Sequence, residues 1–482
     1  MLRSWHKKIY KAVIFLLCIT VQLHYSSKDI FAMMSSENVE WKLPKLVFET
    51  DGDISRPRLI PDFFGRMHLV FSESEARFGN IQTEYAVFYS QWQDGQEWST
   101  PVDILAQAQK ILYFPQFTIS KDGMGFLSAQ GYPGREYIQL AQNISGNFSS
   151  PSNWQQTNTI SSYPVAAHRL QSDQYGSLHL LYGASGSSTQ LYYQRSDDNG
   201  QSWASPMSIS QNQESEAVDT IDILIGDPGE LHVFWTNVLY PDGYPQTGTF
   251  YTYSNDNGTT WSQPTKIAPK DVSLQGSAIY GKEIHVLVIG RAGYSGRFDV
   301  TTRDAGKTWS ELIQIDSVGS GVSGGGIVAD SVGHFHAVFG SSVDQKVVHS
   351  SWDGIAWSPP VDIAQGISPT LEDIHLSIFG GNTLVALFVE SHARIWTVEG
   401  KITNAPSLPG IPIPTRSPTQ SREPTSLAYK TTPIATTTSI ILDSMNHPET
   451  NTFSQQLIIL VPVLCVLGLI VIVAITRRYR RR

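Results

Sequence analysis

The sequence predicts an all-β chain folded as a seven-bladed β-propeller. A segment of the form Gly-x-apolar-His-apolar-apolar-aromatic returns at 65–71, 176–182, 229–235 and 333–339, with a version one residue longer at 281–285. Weaker copies without the His lie at 123–128 and 381–388, which makes seven. A second segment opens on Trp, usually with Pro three residues on: Trp41, Trp98, Trp203, Trp261 and Trp357 lead to Pro44, Pro101, Pro206, Pro264 and Pro360, and Trp154 and Trp309 open looser copies. From Trp41 onward these tryptophans are spaced by 57, 56, 49, 58, 48 and 48 residues. A period of this length holds about four short strands, which is one blade.

Each element follows from this repeat. No amphipathic helix interrupts the short alternating strands. After Trp357 no further Trp-x-x-Pro segment occurs before residue 402, so the last blade lacks an outer strand while the N-terminus has one to spare. Residues 41–48 are therefore expected to complete the blade built from 370–400. This would close the ring and leave no free edge.

Three turns carry one pattern of hydroxyl, any, Asp, any, Gly, any, hydroxyl, Trp. They are Ser196, Asp198, Gly200 and Trp203; Ser254, Asp256, Gly258 and Trp261; and Thr302, Asp304, Gly306 and Trp309. The Asp can fold back onto backbone N–H groups, the Gly supplies a positive φ, and the Trp buries a large ring as the next strand starts. These turns resemble the Asp box, the bacterial neuraminidase repeat of sialidases and other β-propellers. The resemblance implies a structural role at blade rims, between third and fourth strands, away from the funnel mouth. It also raises a six-bladed, sialidase-type ring as the alternative count.

The repeated His68, His179, His232, His285 and His336 occupy one equivalent position per blade. Around a ring they cannot converge on one ion, so a structural, hydrogen-bonded role is expected and no metal or cofactor.

The ends have a different composition. Residues 1–32 read as a signal peptide, with Arg3, Lys7, Lys8 and Lys11 before an apolar core; an uncleaved signal anchor is the alternative. Residues 403–456 are a Pro/Ser/Thr-rich stalk that cannot bury enough apolar surface to fold. Residues 457–476 form an apolar run long enough for a transmembrane helix, and 477–482 a basic tail expected to stay cytoplasmic. The propeller, 33–402, is then expected outside the membrane. Both cysteines, Cys18 and Cys465, lie in the two apolar segments, so the propeller has no disulfide. Residues 33–402 hold 21 basic against 39 acidic side chains. That balance opposes nucleic-acid or general polyanion binding, yet leaves room for one local basic pocket.

The resemblance to sialidases implies a further set of residues: three arginines on a substrate carboxylate, a Tyr nucleophile with a Glu partner, and an Asp acid/base. The first arginine belongs to an Arg-Ile-Pro motif on the innermost strand of the first blade. Aligned on Pro57, this sequence has Ser55 at that position, flanked by Arg56 and Arg58. A one-residue slip in a strand turns a side chain to the opposite face. Arg297 enters the third Asp box, where a second family arginine can lie; Arg291 is nearby and Arg394 is a weaker third candidate. Glu73, Glu75 and Arg77 could face the funnel, and Tyr294 is a candidate nucleophile without an identifiable Glu partner.

Three functions compete on this sequence. The chain binds a carbohydrate or a surface protein at the membrane without efficient turnover; or it is an anchored exo-sialidase or related glycoside hydrolase; or it is an adhesive spacer. The departures at Ser55 and at the Tyr-Glu pair favour binding.

Overall fold

The computed structural model describes residues 38–74, 85–104, 112–131, 138–160, 165–184, 190–212, 216–239, 245–290, 296–316, 322–341, 343–367 and 369–410. The signal segment, the stalk beyond 410 and the apolar run 457–476 lie outside the described residues.

The described residues form seven antiparallel sheets in sequence order. Blade 1 is β3 (Asp53–Pro61), β4 (Met67–Ser74), β5 (Tyr85–Trp92) and β6 (Val102–Asp103). Blade 2 is β7 (Leu112–Ile119), β8 (Gly125–Gly131), β9 (Ile138–Asn143) and β10 (Trp154–Thr159). Blade 3 is β11 (Val165–Ser172), β12 (Leu178–Ala184), β13 (Leu191–Ser196) and β14 (Met207–Ser208). Blade 4 is β15 (Glu216–Ile225), β16 (Leu231–Leu239), β17 (Gln246–Ser254) and β18 (Thr265–Ala268). Blade 5 is β19 (Val272–Tyr280), β20 (Glu283–Gly290), β21 (Arg297–Thr302) and β22 (Ile313–Asp316). Blade 6 is β23 (Val322–Ala329), β24 (Phe335–Ser341), β25 (Lys346–Trp352) and β26 (Val361–Gln365). Blade 7 is β27 (Pro369–Phe379), β28 (Thr383–Glu390) and β29 (Arg394–Ile402). Seven blades exclude the six-bladed alternative: the weak repeats at Gly123 and Gly381 are the hairpins of blades 2 and 7.

The N-terminus supplies the outer strand of blade 7. β1 (Val39–Trp41) and β2 (Lys45–Glu49) both pair antiparallel with β29, Val39 opposite Ile402 and Glu49 opposite Arg394. The strand breaks between them at Pro44, which has no N–H to give a ladder. Trp41 lies flat on Gly400, where a Cβ would meet the indole at 2.7 Å.

The core is a set of wedges between neighbouring blades, because both faces of each sheet are covered. Leu181 and Tyr193 of blade 3 pack with Val218, Val233 and Trp235 of blade 4. Phe234 and Tyr251 of blade 4 pack with Val272, Val286 and Val300 of blade 5.

The repeated histidines hold these wedges in register. Asp173 Oδ1 accepts from the backbone N–H of Tyr175 and Ser177, closing the β11–β12 hairpin, and its Oδ2 lies 3.5 Å from His179 Nε2. His179 Nδ1 is 2.8 Å from the Tyr193 hydroxyl. The same chain of contacts runs Asp62, His68, Tyr89 in blade 1, and His232 meets Tyr251 at 2.8 Å in blade 4. Burial holds the Tyr193 and Tyr251 hydroxyls far above their usual range, so they stay protonated. In blades 5 and 6 the tyrosine is replaced by Asp299 and His349, which bond His285 and His336.

Each Asp box falls between the third and fourth strands of its blade, as the sequence implies. In blade 5 Asp304 Oδ1 accepts from the Thr308 backbone and Oδ2 from its hydroxyl, at 2.9 and 2.7 Å. These bonds, the backbone one first, hold Asp304 down at about 2. The box glycine does more than turn the chain. The Tyr251 hydroxyl of blade 4 lies where a Cβ on Gly306 would sit, and the Tyr251 ring meets Trp309 edge-on at 4.9 Å. Tyr193 of blade 3 fits Gly258 and Trp261 of blade 4 in the same way.

Two outcomes test this. Gly306→Ala and Gly176→Ala place a side chain in the same left-handed backbone, φ +83 and +96, but only Gly306 has a neighbour within 4 Å. Gly306→Ala is expected to lose roughly 2–4 kcal/mol and Gly176→Ala roughly 1 kcal/mol in denaturant unfolding; equal losses would refute the inter-blade lock. Deleting residues 38–49 opens blade 7 and should lower the melting temperature of the whole ring. A melting curve that does not move would show that closure lies elsewhere.

Candidate functional site

All seven innermost strands break register near their starts. The shifts fall at Ser55/Arg58, Tyr113/Gln116, Val165/Ala167, Val218/Thr220, Leu274/Gly276, Val322/Gly325 and Pro369/Ile374. A bulge leaves one residue unpaired and re-aims its neighbours. In blades 1 and 2 it is built on Arg56-Pro57 and Phe114-Pro115, where the proline removes the ladder donor. Arg56 and Phe114 are held at φ +44 and +53, a conformation disfavoured for any side chain and more so before proline. Such strain persists where the surroundings impose it, and it gathers at ligand sites.

The bulges surround a cavity of about 110 Å³ on the ring axis. At a liquid share of roughly 30 Å³ per water, that space holds about four waters. Arg56, Arg58 and Arg169 line it together with Asp219 and Asp222. The Arg56 guanidinium stacks 4.2 Å over the Phe114 ring. Arg169 is fixed from two sides: Nη2 donates to Asp222 Oδ1 at 2.7 Å and Nη1 to Gln116 Oε1 at 3.3 Å. Asp222 also accepts from the Ser277 hydroxyl at 2.8 Å, so this network links blades 2 to 5. With neutral imidazoles these five side chains carry one net positive charge inside a strongly acidic domain.

Two histidines complete the lining, His168 and His375. His168 has both nitrogens engaged, Nδ1 by Gln130 at 3.3 Å and Nε2 by Ser128 at 3.1 Å. Burial, then Arg58, Arg169 and Arg56, push it down to about 3. His375 is pushed well below its usual value by burial and the same three guanidinium groups.

The candidates read from the sequence divide. Arg56 and Arg58 both reach the cavity; regular alternation sets both on the face opposite Ser55, and the register break between Ser55 and Arg58 falls at this point of the strand. Arg297 lies elsewhere. It is buried at the blade 5–6 contact, donating to Asp316 at 3.2 Å and to the Gly340 carbonyl, 4.9 Å over the Phe339 ring. Burial lowers it to about 10, so it stays charged. Glu73 accepts from the Thr50 hydroxyl at 2.6 Å and braces the turn at Gly52, outside the cavity lining. Arg394 bonds Glu49 and Glu390 on the exposed side of blade 7. Tyr294, Arg291, Glu75 and Arg77 lie outside the described residues. Arg169, His168, His375 and Asp222 were not singled out from the sequence; the X-Pro steps at the starts of inner strands were the available signal for the bulges.

Residues 138–325 match the model of the BNR repeat-like domain. Among solved structures the chain is similar to a protein of unknown function from Dyadobacter fermentans, with 11% identity and a TM-score of 0.48 over 76% of this chain and 99% of that one. It is similar to an ulvan lyase of a polysaccharide lyase family, with 12% identity and a TM-score of 0.50 over 73% of this chain and 94% of that one. It is also similar to the NanB sialidase from Streptococcus pneumoniae, with 13% identity and a TM-score of 0.45 over 76% and 71%. No curated protein matches the chain by sequence. Residues 138–325 are thus similar to BNR-type repeats, within a ring of seven β-sheets; at these identities the likeness speaks to fold alone, and function rests on the site.

The depressed histidines make acid the weak side of this fold. Each is neutral when folded and gains a proton at about pH 6.5 when unfolded. The unfolded chain therefore binds more protons below that value, and stability falls with decreasing pH. Melting temperature should drop steadily between pH 6.5 and 4, with His168, lowered to about 3, and His232, lowered to about 4, among the contributors. Each contributes at most about 1.4 kcal/mol per pH unit. Imidazole NMR signals of His168 that titrate near pH 6.5 in the folded chain would contradict this.

Proposed function

We propose that this propeller binds an acidic glycan residue at the cell surface, through the axial cavity and without efficient turnover. The observation that carries this reading is the convergence of Arg56, Arg58 and Arg169 on one axial cavity. A guanidinium presents paired donors that match a carboxylate in two bonds, and a partly desolvated pocket strengthens them. Arg169 is preorganised by Asp222 and Gln116, so little order has to be created on binding. Asp222 is engaged by Arg169 and Ser277, which suits a scaffold for the arginines better than proton transfer to a ligand.

The apolar run 457–476 and the arginines after it fit this reading as a single-pass anchor, with the propeller outside and the tail 477–482 inside. The net acidic surface directs selectivity to the axis, because a long polyanion is repelled everywhere else.

The test is a binding titration of the full chain with glucuronate and sialate. Arg58→Ala should weaken binding about 10- to 100-fold, the range for one hydrogen-bonded charge. Arg297→Ala should lower stability and leave the affinity of the remaining folded chain unchanged. A fluorogenic α-sialoside should show no appreciable turnover. Robust turnover that disappears with Arg58→Ala would replace this reading with a sialidase-type hydrolase.

A further inference from the structure

We propose that Phe114 is a positioning residue for the cavity: its ring holds the Arg56 guanidinium where a ligand carboxylate meets it, and the strained backbone at both residues brings the pair together. This rests on the acidic-glycan reading and goes one step past it, to a side chain that acts on the anion only through another.

Three observations carry the assignment. Arg56 and Phe114 occupy the same place in neighbouring blades. Each falls inside the register break of its inner strand, Ser55/Arg58 in β3 and Tyr113/Gln116 in β7, and each precedes a proline, Pro57 and Pro115. Each is held at a positive φ, +44 and +53, whereas the other described non-glycine residues with positive φ lie in the turns between strands. The two strained residues then meet. The Arg56 guanidinium carbon lies 4.2 Å over the Phe114 ring, and both residues line the cavity. Both are half-buried and not sealed from solvent. Strain of this kind persists where the surroundings impose it, and here its product is one contact across the boundary of blades 1 and 2.

The contact suits anion binding. A cation within about 6 Å of a ring centroid is attracted by the ring's quadrupole. The ring engages the face of the guanidinium, whereas the N–H donors that match a carboxylate project from its edge. Phe114 carries no charge, so this hold cancels none of the charge of Arg56. Arg169 is held differently, by the Asp222 carboxylate, which offsets part of its charge. A free arginine side chain has to be ordered when an anion binds; one already stacked has lost that freedom beforehand.

The experiment is a double-mutant cycle on the full chain, with glucuronate affinity read by calorimetry. Phe114→Leu keeps an apolar side chain on the same strained backbone and loses the π face. It should weaken glucuronate about 3- to 10-fold, the cost of ordering one long side chain. Phe114→Tyr keeps the ring and should bind as the wild type does. In an Arg56→Ala background Phe114→Leu should change nothing further, because the ring acts through Arg56. Equal losses from Phe114→Leu with and without Arg56 overturn the assignment, since the role would then be structural. A Phe114→Leu chain that binds like the wild type overturns it as well, and so does a Phe114→Tyr chain as weak as Phe114→Leu. Should the Leu chain fail to fold, the Arg56 side-chain proton resonances of the wild type decide. The ring should shift them upfield in the free chain and still do so with glucuronate bound; ordinary positions in either state overturn the assignment. A wild type that binds glucuronate and fails the cycle refutes the role of Phe114 alone, whereas one that binds no glucuronate refutes the acidic-glycan reading as well.

Discussion

Among the described residues no strand ladder joins one blade of this ring to the next, and the backbone bonds that do cross, such as Ile54 N–H to the His392 carbonyl and Ser331 N–H to the Gly381 carbonyl, are isolated, so side-chain packing carries most of the joining of the seven sheets. The propeller has no disulfide to assist. At two junctions, blade 3 to 4 and blade 4 to 5, the answer is a tyrosine hydroxyl lodged beneath the Asp-box glycine of the following blade, with the box tryptophan against its ring; at Gly200 the Leu140 side chain of blade 2 takes that place. Upstream, a histidine fixes the tyrosine and a hairpin aspartate faces the histidine. The turn motif thus serves its own blade through Asp304 and the neighbouring blade through Gly306 and Trp309.

The same antiparallel order separates the structural turns from the candidate site along the ring axis. First and third strands run in one direction, so the hairpins and Asp boxes at their far ends lie away from the starts of the inner strands. At those starts every inner strand abandons regular pairing. Backbone freed by the bulges, strained at Arg56 and Phe114, forms the cavity wall. Arg169 belongs to both halves of the account: through Gln116 and Asp222 it ties three blades together at the centre, and it presents its charge to the cavity. A ligand anion would therefore meet groups already held in place by the closure of the ring.

Much of the fold was legible because repeats report on equivalence. Seven Trp segments and seven glycine-led strands gave the blade number, and the unpaired Trp at 41 gave the closure with β29. The histidines were legible as structural for the same reason. The site was legible only in part. Alternation is a rule for regular strands, and at Ser55–Arg58 the strand is irregular, so the rule that set Arg56 and Arg58 off from the Ser55 position does not apply there. Arg297 was a reasonable candidate by its place before an Asp box, yet its strand is third in the blade and its side chain turns into the contact with blade 6. Arg169, His168 and His375 sit at no motif; they come together only when blades 1, 2, 3 and 7 meet on the axis.

The most direct measurement is a crystal structure of the chain with glucuronate bound. The account expects the carboxylate on the axis, within hydrogen-bonding distance of Arg58 and Arg169, with the Asp222–Arg169 bond unbroken. A sugar seated on an outer blade face, with the axial cavity holding only water, would contradict it.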